Sequence, residues 1–351
     1  MFRQEKKYYA RAFLYALAMA AVLLAPFVLL DGGYFVYYGD YNAQQIPFYK
    51  TCIEAVQSGN LGWNWRTDLG ANFVGSYSFY TLGSPFFWFA ALFPVEISQY
   101  LMAPLLALKI ACSSFFAFVY IRRFVTNPQH ALIGGLLYAF SGYSMYNIFF
   151  NHFHEAIVFF PLLLIGLEES VVNKRRGALA AAVAINAFVN YFFFIGECVF
   201  LALYFVIRLI GDSRFRIGVK DFFCLAFEAV CGVLIAGVLF VPSIFQVLDV
   251  PRSTSMLNGW DFLFYNKNQR YGLILEAMFF PGEVPARTIM FEKADSKWSS
   301  VALFLPLFSM SGVIAMVKGA ATEASRRMKW LRILLPACLI IATVSYTHLT
   351  L

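Results

Sequence analysis

Two acids and two histidines stand out in a chain poor in ionisable side chains. Asp40 lies in GDYNAQQIPFYK (residues 39–50), and Glu155 closes NHFHE (residues 151–155). A loop carboxylate can take a proton from an attacking hydroxyl, so Asp40 is the candidate catalytic base. Its bland reading is a solvated turn residue. Asp31, in LDGG, reads more simply as a turn residue after a helix end. His152 and His154 are two apart, so they share a face in an extended turn but not on a helix. With Glu155 they could contact substrate, or form a plain polar turn. Asp40 and Glu155 together could hold a Mg or Mn ion, although no full set of metal ligands is spaced for it. Gln44, beside Asp40, is a further candidate substrate contact.

Other side chains could serve binding. Lys109 lies inside an apolar run, roughly 15 Å along a helix. It could face a phosphate, pair with Glu197 or Glu228, or snorkel. Arg252 could grip a lipid phosphate. Trp65 could stack on a sugar or sit at the membrane interface. Asn186 and Asn190, four apart, suit hydrogen bonds between helices. No Walker loop, GxGxxG, GxSxG or HExxH occurs, so nucleotide hydrolysis, dinucleotide binding and the common hydrolase layouts lack support.

The elements that must position these groups are membrane helices. The chain has 351 residues, 60% of them apolar and only 13% charged; a soluble domain is about a quarter charged. The six cysteines are scattered, without a CxxC, and read as small buried residues. The first span covers residues 12–30, and its length and flanks fit a retained anchor better than a signal peptide. Loop 31–97 follows. Within it Ile46, Tyr49, Ile53 and Val56 recur at helical spacing after Pro47, which predicts an interfacial helix ended by Gly59 and Asn60. The short run GSPFFWFAALFP predicts a second interfacial segment. Further spans are expected over 96–121, 131–150, 156–172, two within 178–210 meeting between Asn190 and Glu197, 222–247, 298–317, and from 333 to 344. A second long loop covers 248–297. The last apolar run stops after about a dozen residues where a span needs about 20. Residues 345–351 therefore read as a non-native tail on a truncated frame, and residues 1–344 as one transmembrane domain.

The charges orient this layout. With the N-terminus in the cytoplasm, the inside segments carry 18 of the 27 Lys and Arg residues, as the positive-inside rule requires. The net charge of +7 then reports orientation, not nucleic-acid binding. Both long loops, and with them Asp40 and the 151–155 turn, fall on the outer face of a plasma membrane.

The ordered runs GDYNAQQIPFYK, WNWRTDLGANF, FYTLGSPFFW and NHFHEAIVFFPLLLIGLEE resemble the bacterial YfhO-like membrane proteins, over residues 12–317. That family is similar to the GT-C class of glycosyltransferases. The resemblance implies an all-α polytopic bundle of about nine spans with interfacial helices in the first outer loop. It further implies transfer of a sugar from a polyprenyl-phosphate carrier to a cell-envelope glycopolymer resembling lipoteichoic acid, with inversion at the sugar. Asp40 matches the acid of the family's first outer loop, and Glu155 the second acidic position. Single acids stand where a full DxD would mark a metal site, so no cofactor is demanded. The rival readings are a flippase for lipid-linked sugars and a membrane acyltransferase using His152 or His154.

Overall fold

Helix α5 (Ser98–Ile121) is the axis of the structure, a computed structural model that describes residues 2–37, 39–67, 69–248, 304, 309–318 and 328–345. Its 24 residues are apolar almost throughout, with Lys109 midway. Against it pack α1 (Phe2–Leu30), α6 (Pro128–Ala139) and α8 (Phe153–Val171). Helix α9 (Ala178–Val189) bridges α8 to α11 (Val219–Leu248), and α10 (Tyr191–Gly211) runs beside α8 and α9. Two later helices, α12 (Ser309–Val317) and α13 (Leu331–Ser345), are described in part of the C-terminal region. Among the described residues four segments are long and apolar enough to cross a membrane: Lys6–Leu30, Val95–Ile121, Tyr191–Gly211 and Val219–Gln246.

The expected span 156–172 is the continuous helix α8, while others are interrupted or only partly described. Residues 131–150 do not form one helix. Helix α6 stops at Ala139, and Ser141 caps the short α7 (Gly142–Tyr146) through Ser144 N–H at 3.4 Å. A 3-10 turn over Asn147–Phe149 follows. A serine and a glycine at the break give the backbone local alternatives to the helix. The 178–210 run does divide, but at Asn190 alone. Asn190 is extended, and its side chain accepts from the N–H groups of Phe192 and Phe193. Glu197 thus sits within α10 and not in a turn, a correction to the expected position. Asn186 donates to Ala182 O of its own helix, and among the described residues neither asparagine makes the expected bond between helices. The loop 248–297 lies outside the described residues beyond Leu248.

The first long loop is a folded cap. Tyr41–Gln45 is a π-helical turn leading into α2 (Ile46–Ser58). Ile46 N–H reaches back to Tyr41 O, while Pro47 has no N–H to offer Ala43 in an ordinary helical turn. The wide turn accommodates that gap. Gly59, at φ +72°, ends α2 with its own N–H on Val56 O and Asn60 N–H on Ala55 O. The apolar face of α2 was expected to lie on lipid. Instead Tyr49, Cys52 and Ile53 are buried with Phe87 of α4 and Leu106 and Ile110 of α5, so protein covers it. Periodicity identifies an apolar face but not what covers it. A small hairpin pairs Trp63–Asn64 (β1) with Ala71–Asn72 (β2). Then come α3 (Phe73–Tyr77), a second π-helical turn (Ser78–Leu82) and α4 (Pro85–Ala90), whose N-terminus Ser84 caps.

The opposite end is held by ions. Arg208 bonds Glu168 through two nitrogens, at 2.7 and 3.0 Å, and Asp212 at 2.6 Å. Rings of Phe124, Phe215 and Trp330 surround the guanidinium. This knot joins α5, α8 and α10 to the segment leading into α13.

Gly83 joins cap to bundle by backbone contact. A β-carbon there would meet Phe188 O at 2.1 Å and Val189 O at 2.6 Å. Because both obstacles are backbone atoms, neither can swing aside. Gly83→Ala is expected to cost about 1–3 kcal/mol or more as overpacking. Thermal unfolding in detergent measures it; an unchanged midpoint would show that the cap does not rest on α9.

Candidate functional site

The site grows from one lysine. Lys109 is fully buried at the middle of α5. Its ammonium donates to Asn151 O and Asn151 Oδ1, both at 3.0 Å, and meets Glu155 Oε1 at 2.8 Å. Those contacts use its three N–H donors. Glu155, 2% exposed, also accepts from Ser84 Oγ at 2.5 Å. Three separate pieces of chain therefore meet on one ion pair: α5, the Asn151–His152 turn with the first turn of α8, to which Glu155 belongs rather than to the expected polar turn, and the N-terminus of α4. The expected roles change accordingly. Lys109 is not open to a phosphate, and its partner is Glu155, not Glu197 or Glu228. Glu228 instead lies beside Ser170 Oγ.

The turn so fixed carries His152. Its Nδ1 lies 3.1 Å from Gln45 Oε1. Its ring meets Phe79 at 4.6 Å and Tyr80 at 4.9 Å between centroids. Gln45 belongs to the first π-helical turn, and Phe79 and Tyr80 to the second. Such turns are rare and recur at functional sites; here both converge on one imidazole. Burial first, then the charges of Lys109 and His154, hold His152 well below its ordinary value. It is neutral at physiological pH. Since the folded value is depressed, its contribution to stability is complete above about pH 6.5 and is lost as the pH falls below that. Of the two glutamines the buried Gln45 makes the contact, whereas Gln44 is only half-buried. His154 turns away from His152 and bonds Ser144 O at 2.8 Å, so the two histidines do not act as a pair.

Asp40 stands immediately before the first π-helical turn, half-buried. Gly39, at φ +53°, sets its position, because a β-carbon there would lie 2.4 Å from the Phe149 ring. Glycine alone allows both that backbone angle and that approach. The Asp40 carboxylate makes no capping hydrogen bond, and no salt bridge holds it among the described residues. The Tyr80 hydroxyl is pushed up by burial first, then by the charges of Asp40 and Tyr191, and the Tyr80 ring packs on that of His152. The arrangement offers an unengaged carboxylate beside a tyrosine and a neutral histidine, braced from below by the buried ion pair.

A divalent ion does not fit this donor set. One Glu155 oxygen is committed to Lys109 and Ser84, and no group of three metal-ligating side chains gathers among the described residues. Trp65 lies away on the hairpin, largely exposed. Arg252 lies outside the described residues. Ser84, Asn151, Gln45 and Tyr80 were not singled out from sequence. A Ser-Pro pair at a helix start is the local signal that could have marked Ser84 as a cap, though not its second bond with Glu155.

A polytopic α-helical membrane protein, with a polar site roofed by its first long loop, is the class that fold and site define. The chain belongs to the family of the bacterial membrane protein YfhO, whose family model matches residues 11–273. No curated protein and no solved structure matches it significantly.

Breaking the buried pair on one side leaves a charge stranded. Lys109→Met should cost about 3–5 kcal/mol, and Lys109→Met with Glu155→Leu should recover much of it. Thermal unfolding of the single and double variants measures this. A double variant no better than the single would mean the two side chains are not energetically coupled.

Proposed function

We propose that the chain is a membrane glycosyltransferase. It moves a sugar from a polyprenyl-phosphate carrier to a hydroxyl of a cell-envelope glycopolymer at the outer face of the plasma membrane. The observation that carries this reading is the Asp40 carboxylate of the first long loop, which makes no capping hydrogen bond and no salt bridge among the described residues and follows Gly39, itself packed against Phe149. Family membership and the basic segments at the opposite end of the bundle support it.

The chemistry asks little of the protein beyond placement and one proton. The acceptor hydroxyl oxygen attacks the anomeric carbon from the side opposite the phosphate. The bond from that carbon to the phosphate oxygen breaks, and the phosphate leaves with the electron pair. Asp40 takes the hydroxyl proton as the new bond forms. Inversion follows from a single displacement. Holding both reactants in line supplies much of the rate. Neutral His152 and Gln45, both buried, tie the 150–152 turn to the first π-helical turn, and Tyr80 orients the acceptor beside Asp40. Lys109 and Glu155 position the turn and do not touch the reactants. A phosphate ligand is left to cations outside the described residues, with Arg252 the first to test.

Asp40→Asn removes the base while keeping size and polarity. Transfer from a labelled polyprenyl-phosphate sugar in vesicles should fall by about 10²–10⁴-fold, the usual worth of a general base. Membrane insertion and thermal stability should stay unchanged. Full transfer by this variant would remove Asp40 from the mechanism. Movement of the carrier across the bilayer without any transfer would favour a flippase.

A further inference from the structure

The hairpin at residues 61–72 leaves large apolar side chains uncovered by the described residues. Leu69 is 94% exposed, Trp65 75% and Trp63 54%. Leu69 also adopts φ +67°, a conformation uncommon for a bulky residue. The tip is nevertheless built with care. Gly70, at φ +122°, lets the two indoles close over it; a β-carbon there would lie 2.9 Å from Trp63 Nε1 and 3.0 Å from Trp65 Cε3. The indoles meet edge to face at 5.8 Å. Arg66 ties the tip back to Glu54 of α2, at 3.2 Å, and Thr67 Oγ1 lies 3.1 Å from Tyr77 OH in α3. The hairpin is thus fixed to the cap, and its apolar edge points outward.

Its height above the bilayer follows from its connections. Gln57, near the end of α2, donates to Ala91 O at 3.1 Å and Phe93 O at 2.7 Å. The apolar segment that includes α5 and is long enough to cross a membrane starts at Val95, two residues later. The hairpin begins three residues beyond the end of α2, a reach of about 10 Å at most. Its root therefore lies close to the start of that segment. Exposed Trp88, Phe89 and Leu92 continue the same apolar rim toward α5. Tryptophan is enriched at this level, where the indole is apolar and its N–H stays wet.

We propose that the 61–72 hairpin is a membrane wedge: Trp63, Trp65 and Leu69 enter the boundary between headgroups and acyl chains of the leaflet on which the first long loop lies. The partner is the lipid surface itself. The wedge holds the cap, and with it the two π-helical turns, at a constant height over the bilayer. This inference stands apart from the proposed reaction.

The test is tryptophan emission from the full chain in nanodiscs, with the Trp63→Phe/Trp65→Phe variant subtracted to isolate the hairpin signal. In lipids brominated near the top of the acyl chains, the hairpin component should be lost; in unbrominated lipids it should persist. A component of equal intensity in both lipids overturns the proposal. Strong quenching by aqueous acrylamide in that case would place the indoles free in water, and protection from acrylamide as well would assign them to a protein partner. If the double variant fails to insert, Trp65→Phe alone reads the same loss from the more exposed indole.

Discussion

A lysine in the middle of a membrane helix is tolerable only with a partner, and the structure is arranged around supplying one. Burial of Lys109 without Glu155 would strand a charge in a medium that cannot solvate it. The ion pair, the two bonds to Asn151 and the bond from Ser84 to Glu155 remove that penalty together. In doing so they oblige α5, the 150–155 turn and α4 to meet at one point. The pair is weak evidence for net stability, since an apolar replacement of similar volume often does as well. Its value lies in geometry: it fixes which face of the turn looks up at the cap. Among the described residues the second Glu155 oxygen, Gln45 Nε2 and His152 Nε2 are buried without a hydrogen bond, as are side-chain atoms elsewhere in the bundle such as Asn186 Oδ1 and Trp330 Nε1.

From that point the arrangement propagates upward. The fixed turn presents His152 to Gln45 and Tyr80, and Phe149 to Gly39. Those contacts dock both π-helical turns and leave Asp40 beside Tyr80. The knot of Arg208, Glu168 and Asp212 at the other end does the corresponding work for α8 and α10. The bundle is therefore pinned by buried ions at two ends, with apolar packing between. The Lys109 knot lies under the loop that carries Asp40.

Local signals in the sequence carried well. Pro47 near a helix start and Gly59 at its end placed α2, and the shift to polar residues near Asn190 marked the division of the long apolar run. The 151–155 turn and the loop around Asp40 were recognisable as polar islands among apolar helices. What stayed hidden was tertiary. The pairing of Lys109 with Glu155 joins residues 46 positions apart, and an apolar run says nothing about which acid faces which lysine. The break at Ser141 hid in an otherwise apolar stretch. The choice between Gln44 and Gln45 depends on the π-helical turn, which rotates the backbone relative to ordinary helical spacing. The cover over α2 could not be known either, because lipid and protein interiors demand the same apolar face.

The central claim is that the 39–45 turn, the 78–82 turn and the 150–155 turn form one substrate site. A polyprenyl-phosphate sugar carrying a photoactivatable group on the sugar ring tests it directly. Irradiation in vesicles followed by peptide mapping should place the label on those three segments together, in competition with unlabelled carrier. Label confined to other segments, and indifferent to competitor on these three, would contradict the account.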